Sequence, residues 1–170
     1  TTYSKRVLYS TYDVTNQLKV GHNCIGVMLG NGWYNPLPLR MWGQLNLRDF
    51  LSVGRPGLIA QLEIEYMDGE HALVLSDQSW KTAPGPILQN SIYLGEVYDA
   101  RREVDGWNLA NFDDSNWKQA NTVQSPLGFL RPQQQPLVEQ VAVLPAVART
   151  QPKPGVFIFD FGQNLAGWVR

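Results

Sequence analysis

Leu58-Ile-Ala-Gln-Leu-Glu-Ile-Glu-Tyr-Met-Asp-Gly-Glu-His-Ala-Leu-Val-Leu75 carries the clearest local instruction in this 170-residue chain. Leu58, Ala60, Leu62, Ile64 and Tyr66 alternate with Gln61, Glu63 and Glu65, the period-two signature of a strand with one dry and one wet face. Asp68-Gly69 then matches a two-residue hairpin turn, whose central positions both need positive φ. That turn predicts Tyr66 opposite His71, Ile64 opposite Leu73 and Leu62 opposite Leu75 on one face, with Glu63 and Glu65 opposing Val74 and Ala72 on the other. His71 therefore reads as a cross-strand partner of Tyr66, and His22 lies in a polar turn with nothing to activate it.

Upstream, Cys24-Ile-Gly-Val-Met-Leu29 is an apolar run of strand length, predicted to be buried, with Cys24 as a packed thiol. Gly30-Asn31-Gly32 stops it, since two glycines around an asparagine supply positive-φ positions for a tight turn. The turn presents Trp33 and Tyr34 at the end of the strand, where a flat apolar face with a polar tip suits a half-wet rim. Asn35 to Gly57 loses all periodicity and accumulates Pro and Gly, which reads as a long functional loop carrying Trp42.

The remaining segments repeat the pattern of short strands and Asx turns. Val7–Tyr12 is rich in β-formers, and Asp13-Val-Thr-Asn16 after it reads as a turn or one helical turn capped by a short polar side chain. Ser91–Ala100 reads as one strand bent at Gly95-Glu96. Trp107 and Trp117 flank Phe112-Asp-Asp-Ser115, whose carboxylates cap backbone N–H groups. Leu137–Leu144 reads as a strand, Pro145–Pro154 as a proline-bearing link, and Val156–Phe161 as a new strand whose return partner follows. No stretch of 12 residues carries an i, i+3, i+4, i+7 apolar pattern. The fold class expected is all-β, an antiparallel sandwich or jelly roll.

Composition narrows the function. A formal net charge of −1, with no basic cluster larger than Lys5-Arg6 or Arg101-Arg102, gives no field to attract nucleic acid. One cysteine rules out an internal disulfide, and no apolar run approaches the roughly 20 residues of a membrane span. The start, Thr1-Thr-Tyr-Ser4, reads as the interior of a longer polypeptide.

Catalytic chemistry is not visible. Sugar hydrolysis needs two carboxylates flanking one bond, yet Glu63 and Glu65 sit on a wet face, Asp113 and Asp114 sit together in a turn, and Glu96 has no obvious partner. Six Trp and seven Tyr are many for this length, and aromatic faces stack on sugar rings while amides take the hydroxyls. Trp80, Trp107 and Trp117 read as packing residues. The candidate carbohydrate-binding residues are Asn31, Trp33, Tyr34 and Trp42.

Tyr9-Ser-Thr-Tyr-Asp-Val-Thr15, Gly30-Asn-Gly-Trp-Tyr34, Gln61-Leu-Glu-Ile-Glu-Tyr-Met-Asp-Gly69, Asp77-Gln-Ser-Trp80, Gly95-Glu-Val-Tyr-Asp-Ala-Arg101, Phe112-Asp-Asp-Ser-Asn-Trp117 and Phe159-Asp-Phe-Gly-Gln-Asn-Leu-Ala-Gly-Trp-Val-Arg170, in this order, resemble the N-terminal region of bacterial α-L-rhamnosidases of glycoside hydrolase family 78. The resemblance implies a non-catalytic jelly-roll module over residues 1–135, a linker and connecting strand over 136–155, and the beginning of the next β-sandwich over 156–170. It also implies that the jelly roll begins before Thr1. A helical catalytic barrel further along the same polypeptide is the implied partner, in an inverting enzyme acting on terminal α-L-rhamnose outside the cytoplasm: periplasmic, at the cell surface or secreted. In some relatives calcium, held by Asp-Asn at the end of the organising strand, carries L-rhamnose. Here that pair is Gly30-Asn31, which lacks the carboxylate a hard cation prefers, so no calcium or other cofactor is expected. Asn31 keeps its capacity to hydrogen-bond a sugar hydroxyl.

Overall fold

The computed structural model describes residues 2–38, 40–41 and 45–167. In chain order they form β1 (Arg6–Tyr9), β2 (Arg40–Met41), β3 (Leu45–Asn46), β4 (Gln61–Glu65), β5 (His71–Leu75), β6 (Lys81–Thr82), β7 (Ile87–Ser91), β8 (Gly95–Tyr98), β9 (Lys118–Gln119), β10 (Phe129–Pro132), β11 (Ala148–Lys153) and β12 (Val156–Asp160). Helical structure is limited to single 3-10 turns at Thr15–Gln17, Leu47–Asp49 and Ala100–Arg102. The fold is all-β, and no described helix is long and apolar enough to cross a membrane. The chain divides into two compact units, Thr1–Gln133 and Gln134–Arg170.

Within the first unit β2–β3, β4–β5, β6–β9 and β7–β8 pair antiparallel, whereas β1 and β10 pair in parallel, with Arg6 opposite Phe129 and Tyr9 opposite Pro132. A parallel pair needs a long crossover, and almost the whole unit lies between these two strands. An antiparallel arrangement was expected throughout, and β1–β10 departs from it.

The β4–β5 hairpin forms where the alternation places it, with a register one residue away from the expected one. Leu62 faces Val74, Ile64 faces Ala72, Glu63 faces Leu73 and Glu65 faces His71. The loop is the cause. Tyr66 N–H donates to the Glu70 carbonyl at 2.8 Å and Gly69 N–H to the Tyr66 carbonyl at 3.0 Å, so Met67, Asp68 and Gly69 form a three-residue connection. Gly69 takes φ +85°, the left-handed residue that closes such a loop. The one-residue slip moves Leu73 and Leu75 to the face of Glu63 and Gln61, where both are exposed. His71 accordingly faces Glu65 instead of Tyr66.

Several strand expectations give way to other structure. Cys24 to Leu29 joins no ladder, and Cys24, Ile25, Val27, Met28 and Leu29 are exposed rather than buried. The segment is held differently, by the Trp107 ring packed over the Gly26 backbone. The expected loop from Asn35 to Gly57 contains β2, β3 and the turn Leu47–Asp49. Ser91–Ala100 is a hairpin end rather than one bent strand: β7 stops at Ser91, Ile92 to Leu94 turn, and β8 starts at Gly95, which sits opposite Ser91. In the second unit Leu137–Leu144 is not a strand, and the expected proline link contains β11. β12 therefore pairs with the strand before it, Arg149 opposite Phe159, across a turn at Pro154-Gly155, and the hairpin runs through position 155.

Asx turns punctuate the ladders, at Asp13 and Asp113 as the sequence predicts and at Asp77 besides. Asp13 Oδ1 accepts from Thr15 N–H at 2.9 Å, Asp77 Oδ1 from Ser79 N–H at 2.7 Å, and Asp113 Oδ1 from Ser115 N–H at 3.0 Å. Asp114 instead pairs with Lys81 Nζ at 2.7 Å, on a half-exposed surface where such pairs contribute little. Trp117 meets Phe112 edge to face at 5.5 Å, a packing role of the kind expected. No apolar side chain among the described residues is fully buried, so ladders, turns and aromatic pairs define the local structure.

Two predictions follow from these turns. Gly69→Ala places a Cβ on a left-handed residue and costs about 1–2 kcal/mol, read as a lower urea midpoint. Hydrogen bonds to Ser79 and Thr15 hold the Asp77 and Asp13 carboxyls below their ordinary value of 3.8. Because the folded-state values are lowered, this stabilisation is present above pH 3.8 and lost as pH falls through them. Unfolding midpoints measured between pH 6 and pH 2 fall at the acid end, and Asp77→Asn flattens that fall.

Candidate functional site

The Gly30-Asn31-Gly32 turn is clamped to the β7–β8 hairpin by two hydrogen bonds from Asn31 to Asn90. Asn31 donates both, its backbone N–H to Asn90 Oδ1 at 2.8 Å and its side-chain Nδ2 to the Asn90 backbone carbonyl at 3.2 Å. The sequence explains why this approach is possible. A Cβ at Gly30 would run into the Asn90 carboxamide nitrogen, so Gly30 is needed for proximity; positive φ belongs to Gly32, at +52°.

A relay of amides fixes Asn31 from its other side. Asn35 N–H donates to the Asn31 carbonyl at 2.9 Å and Asn35 Nδ2 to Asn31 Oδ1 at 3.1 Å. Arg48 Nη1 in turn donates to Asn35 Oδ1 at 3.0 Å and to the Pro36 carbonyl at 2.6 Å. The Asn46 side chain caps the turn that carries Arg48, accepting from its N–H at 3.2 Å. Among the described residues Asn31 thus uses one N–H and one lone pair of its carboxamide on protein, and the other of each meets no partner.

Beside this clamp lies an open recess of about 240 Å³ lined by Gly32, Asn90, Ser91, Ile92, Gly95 and Glu96. β7–β8 register sets Asn90 opposite Glu96, which puts a carboxamide and a carboxylate on one face of the hairpin. Ser91 Oγ accepts from Tyr93 N–H and Leu94 N–H at 3.3 and 3.2 Å, leaving its own O–H to donate. Further along β8, Tyr98 O–H donates to Glu103 at 2.5 Å, and that bond raises the Tyr98 pKa.

The residues singled out in the sequence take different places. Asn31 forms the clamp. Trp33 is half-buried and meets Tyr93 edge to face at 5.8 Å, bracing the hairpin turn beside the recess. Tyr34, also half-buried, packs edge to face on Tyr3 at 5.0 Å and over Gly54, away from the lining residues. Trp42 lies outside the described residues. Asn90 and Ser91 were missed; their only signal was a position opposite Gly95-Glu96, legible once that pair is read as the start of a return strand. No group of three or more His, Cys, Asp or Glu side chains able to hold a metal occurs among the described residues.

Short ladders, the near absence of helix and polar chemistry gathered at two abutting turns define an all-β domain whose site is built by loops. Comparison with known proteins makes this specific. Residues 1–142 match the family model described as the alpha-L-rhamnosidase N-terminal domain, and the chain belongs to that family. It is 40% identical over 177 residues to an alpha-L-rhamnosidase of Streptomyces avermitilis, covering 100% of this chain and 16% of that protein. It is 37% identical over 168 residues to one of Formosa agariphila, covering 99% and 18%. The crystal structure of the S. avermitilis alpha-L-rhamnosidase complexed with L-rhamnose superimposes with a TM-score of 0.70 at 35% identity, over 96% of this chain and 15% of that one. The chain therefore spans about a sixth of the length of the curated relatives it matches.

Gly30→Ala tests the clamp. The added methyl group forces the Asn90 carboxamide away and costs about 1–3 kcal/mol in urea unfolding, with amide shift changes concentrated at residues 31–35 and 90–96. Changes of similar size spread evenly over the β4–β5 hairpin would contradict this localisation.

Proposed function

We propose that residues 1–135 are a non-catalytic jelly-roll accessory module of an α-L-rhamnosidase. The catalytic barrel lies further along the same polypeptide, and the whole enzyme removes terminal α-L-rhamnose from glycans or glycosides. In this reading residues 136–155, which include β11 as the connecting strand, lead from the module to a second β-sandwich that begins at 156–170 with β12. Membership of the N-terminal-domain family and the one-sixth coverage of longer relatives support the division of labour. The observation that carries the non-catalytic reading is the recess itself: one carboxylate, Glu96, lines it, where hydrolysis of a glycosidic bond takes two on opposite sides.

The module also binds carbohydrate weakly in this proposal, around Asn31 and Trp33, with Tyr34 and Trp42 as the further candidates. The unused N–H and lone pair of Asn31 and the recess beside it favour binding. One observation favours a second reading, a scaffold that only supports the catalytic barrel: Trp33 and Tyr34 are half-buried against Tyr93 and Tyr3.

Titrating L-rhamnose into the chain, followed by tryptophan fluorescence and amide shifts, separates the two. The binding module gives saturable, millimolar-range shifts at residues 31–35 that weaken several-fold in Asn31→Ala. The scaffold gives none at tens of millimolar sugar.

A further inference from the structure

Asn31 is the one asparagine in this sequence followed by glycine, the pairing in which the main chain most readily attacks a side-chain carboxamide. The nitrogen of the following residue has to reach Cγ, and a glycine puts no Cβ in the way. Here that nitrogen is free. Gly32 is exposed, its N–H meets no partner among the described residues, and nothing lies within 4 Å of where its Cβ would stand. The carboxamide, by contrast, is pinned at both ends. Asn31 Nδ2 donates to the Asn90 carbonyl at 3.2 Å, and Oδ1 accepts from Asn35 Nδ2 at 3.1 Å, with Arg48 Nη1 holding Asn35 Oδ1 at 3.0 Å. Asp68-Gly69 and Asp105-Gly106 offer the same spacing, but a carboxylate at neutral pH repels a nucleophile. Asn90 precedes Ser91, which carries a Cβ.

We propose that Asn31 and Gly32 form a self-modification site, gated by the hydrogen bonds that tie Asn31 to Asn90 and Asn35. The Gly32 nitrogen gives up its proton to solvent and forms a bond to Asn31 Cγ; the Cγ–Nδ2 bond breaks and that nitrogen leaves as ammonia. Water then adds to one of the two carbonyls of the succinimide ring. One opening leaves an aspartate at position 31, the other routes the main chain through the side chain as isoaspartate. No electron changes hands, and water is the sole co-reactant. Attack makes the planar Cγ tetrahedral and expels Nδ2, so the pinned carboxamide has to come off its partners first, in a local opening of the turn. Either product has lost the Nδ2 donor and gained a negative charge, and isoaspartate also lengthens the main chain by one methylene. The turn cannot close again on β7–β8 as before. The unlatching accumulates with the time the turn spends open, and none of this rests on the carbohydrate-binding reading.

The experiment incubates the chain at neutral and mildly alkaline pH, folded and in urea, and follows ammonia release with peptide mapping of aspartate and isoaspartate at every asparagine. Residue 31 is modified before any other, and faster as pH rises, because the Gly32 nitrogen has to lose its proton. Two hydrogen bonds that must open first make the folded chain about tenfold or more slower than the chain in urea. Asn35→Ala and Asn90→Ala bring the folded rate toward the urea rate while the β4–β5 amide shifts stay those of the parent. The aged, unsubstituted chain gives a second reading that needs no variant: its amide shifts move at residues 31–35 and 90–96 and not over β4–β5. Equal rates in the folded and unfolded chain overturn the gate, earlier modification at another asparagine overturns the site, and unmoved shifts at 90–96 in the aged chain overturn the unlatching.

Discussion

The paired hydrogen bonds that Asn31 donates to Asn90 are the constraint on which the site depends. An isolated two-stranded hairpin is marginal in water, and the ladders of the first unit are all two-stranded among the described residues. β7–β8 therefore needs an external anchor, and the Gly30-Asn31-Gly32 turn supplies it through the backbone N–H and the side-chain Nδ2 of Asn31, both donating to Asn90. Each bond contributes only about 0.5–1.5 kcal/mol net, but breaking one leaves a part-buried amide without a partner. The Asn35 and Arg48 relay and the Trp33–Tyr93 contact brace the same junction. What results is a recess whose two sides are joined by residues 59 positions apart in the chain.

The legible part of the fold was its local periodicity. Alternation over Gln61 to Glu65 places β4 where it is observed, and Asp13 and Asp113 announce the turns their carboxylates cap. The register of β4–β5 was not legible, because Asp68-Gly69 fits both a two-residue turn and the end of a three-residue loop, and one residue decides which side chains share a face. β11 was hidden by Pro145, Pro152 and Pro154, which suggest a link; the hairpin tolerates Pro152 where its register shifts, between Thr150 and Lys153.

The site was half legible for a similar reason. Gly30-Asn31-Gly32 and Trp33 mark a turn that does something unusual, and that turn does form one side of the recess. Its other side depends on a pairing between β7 and β8 that no local pattern specifies, so Asn90 stayed invisible while Glu96 stood out only as a carboxylate beside a glycine. Family membership, by contrast, rests on the order of many short turn motifs, a signal spread over the whole chain and insensitive to any one register.

The account stands most directly on hydrogen exchange at a single amide. The Asn31 backbone N–H, followed by NMR, exchanges slowly in the parent chain and in Asn90→Asp, which keeps the acceptor oxygen, and about tenfold or more faster in Asn90→Ala. Equal exchange in all three, or an unprotected Asn31 amide in the parent, would contradict it.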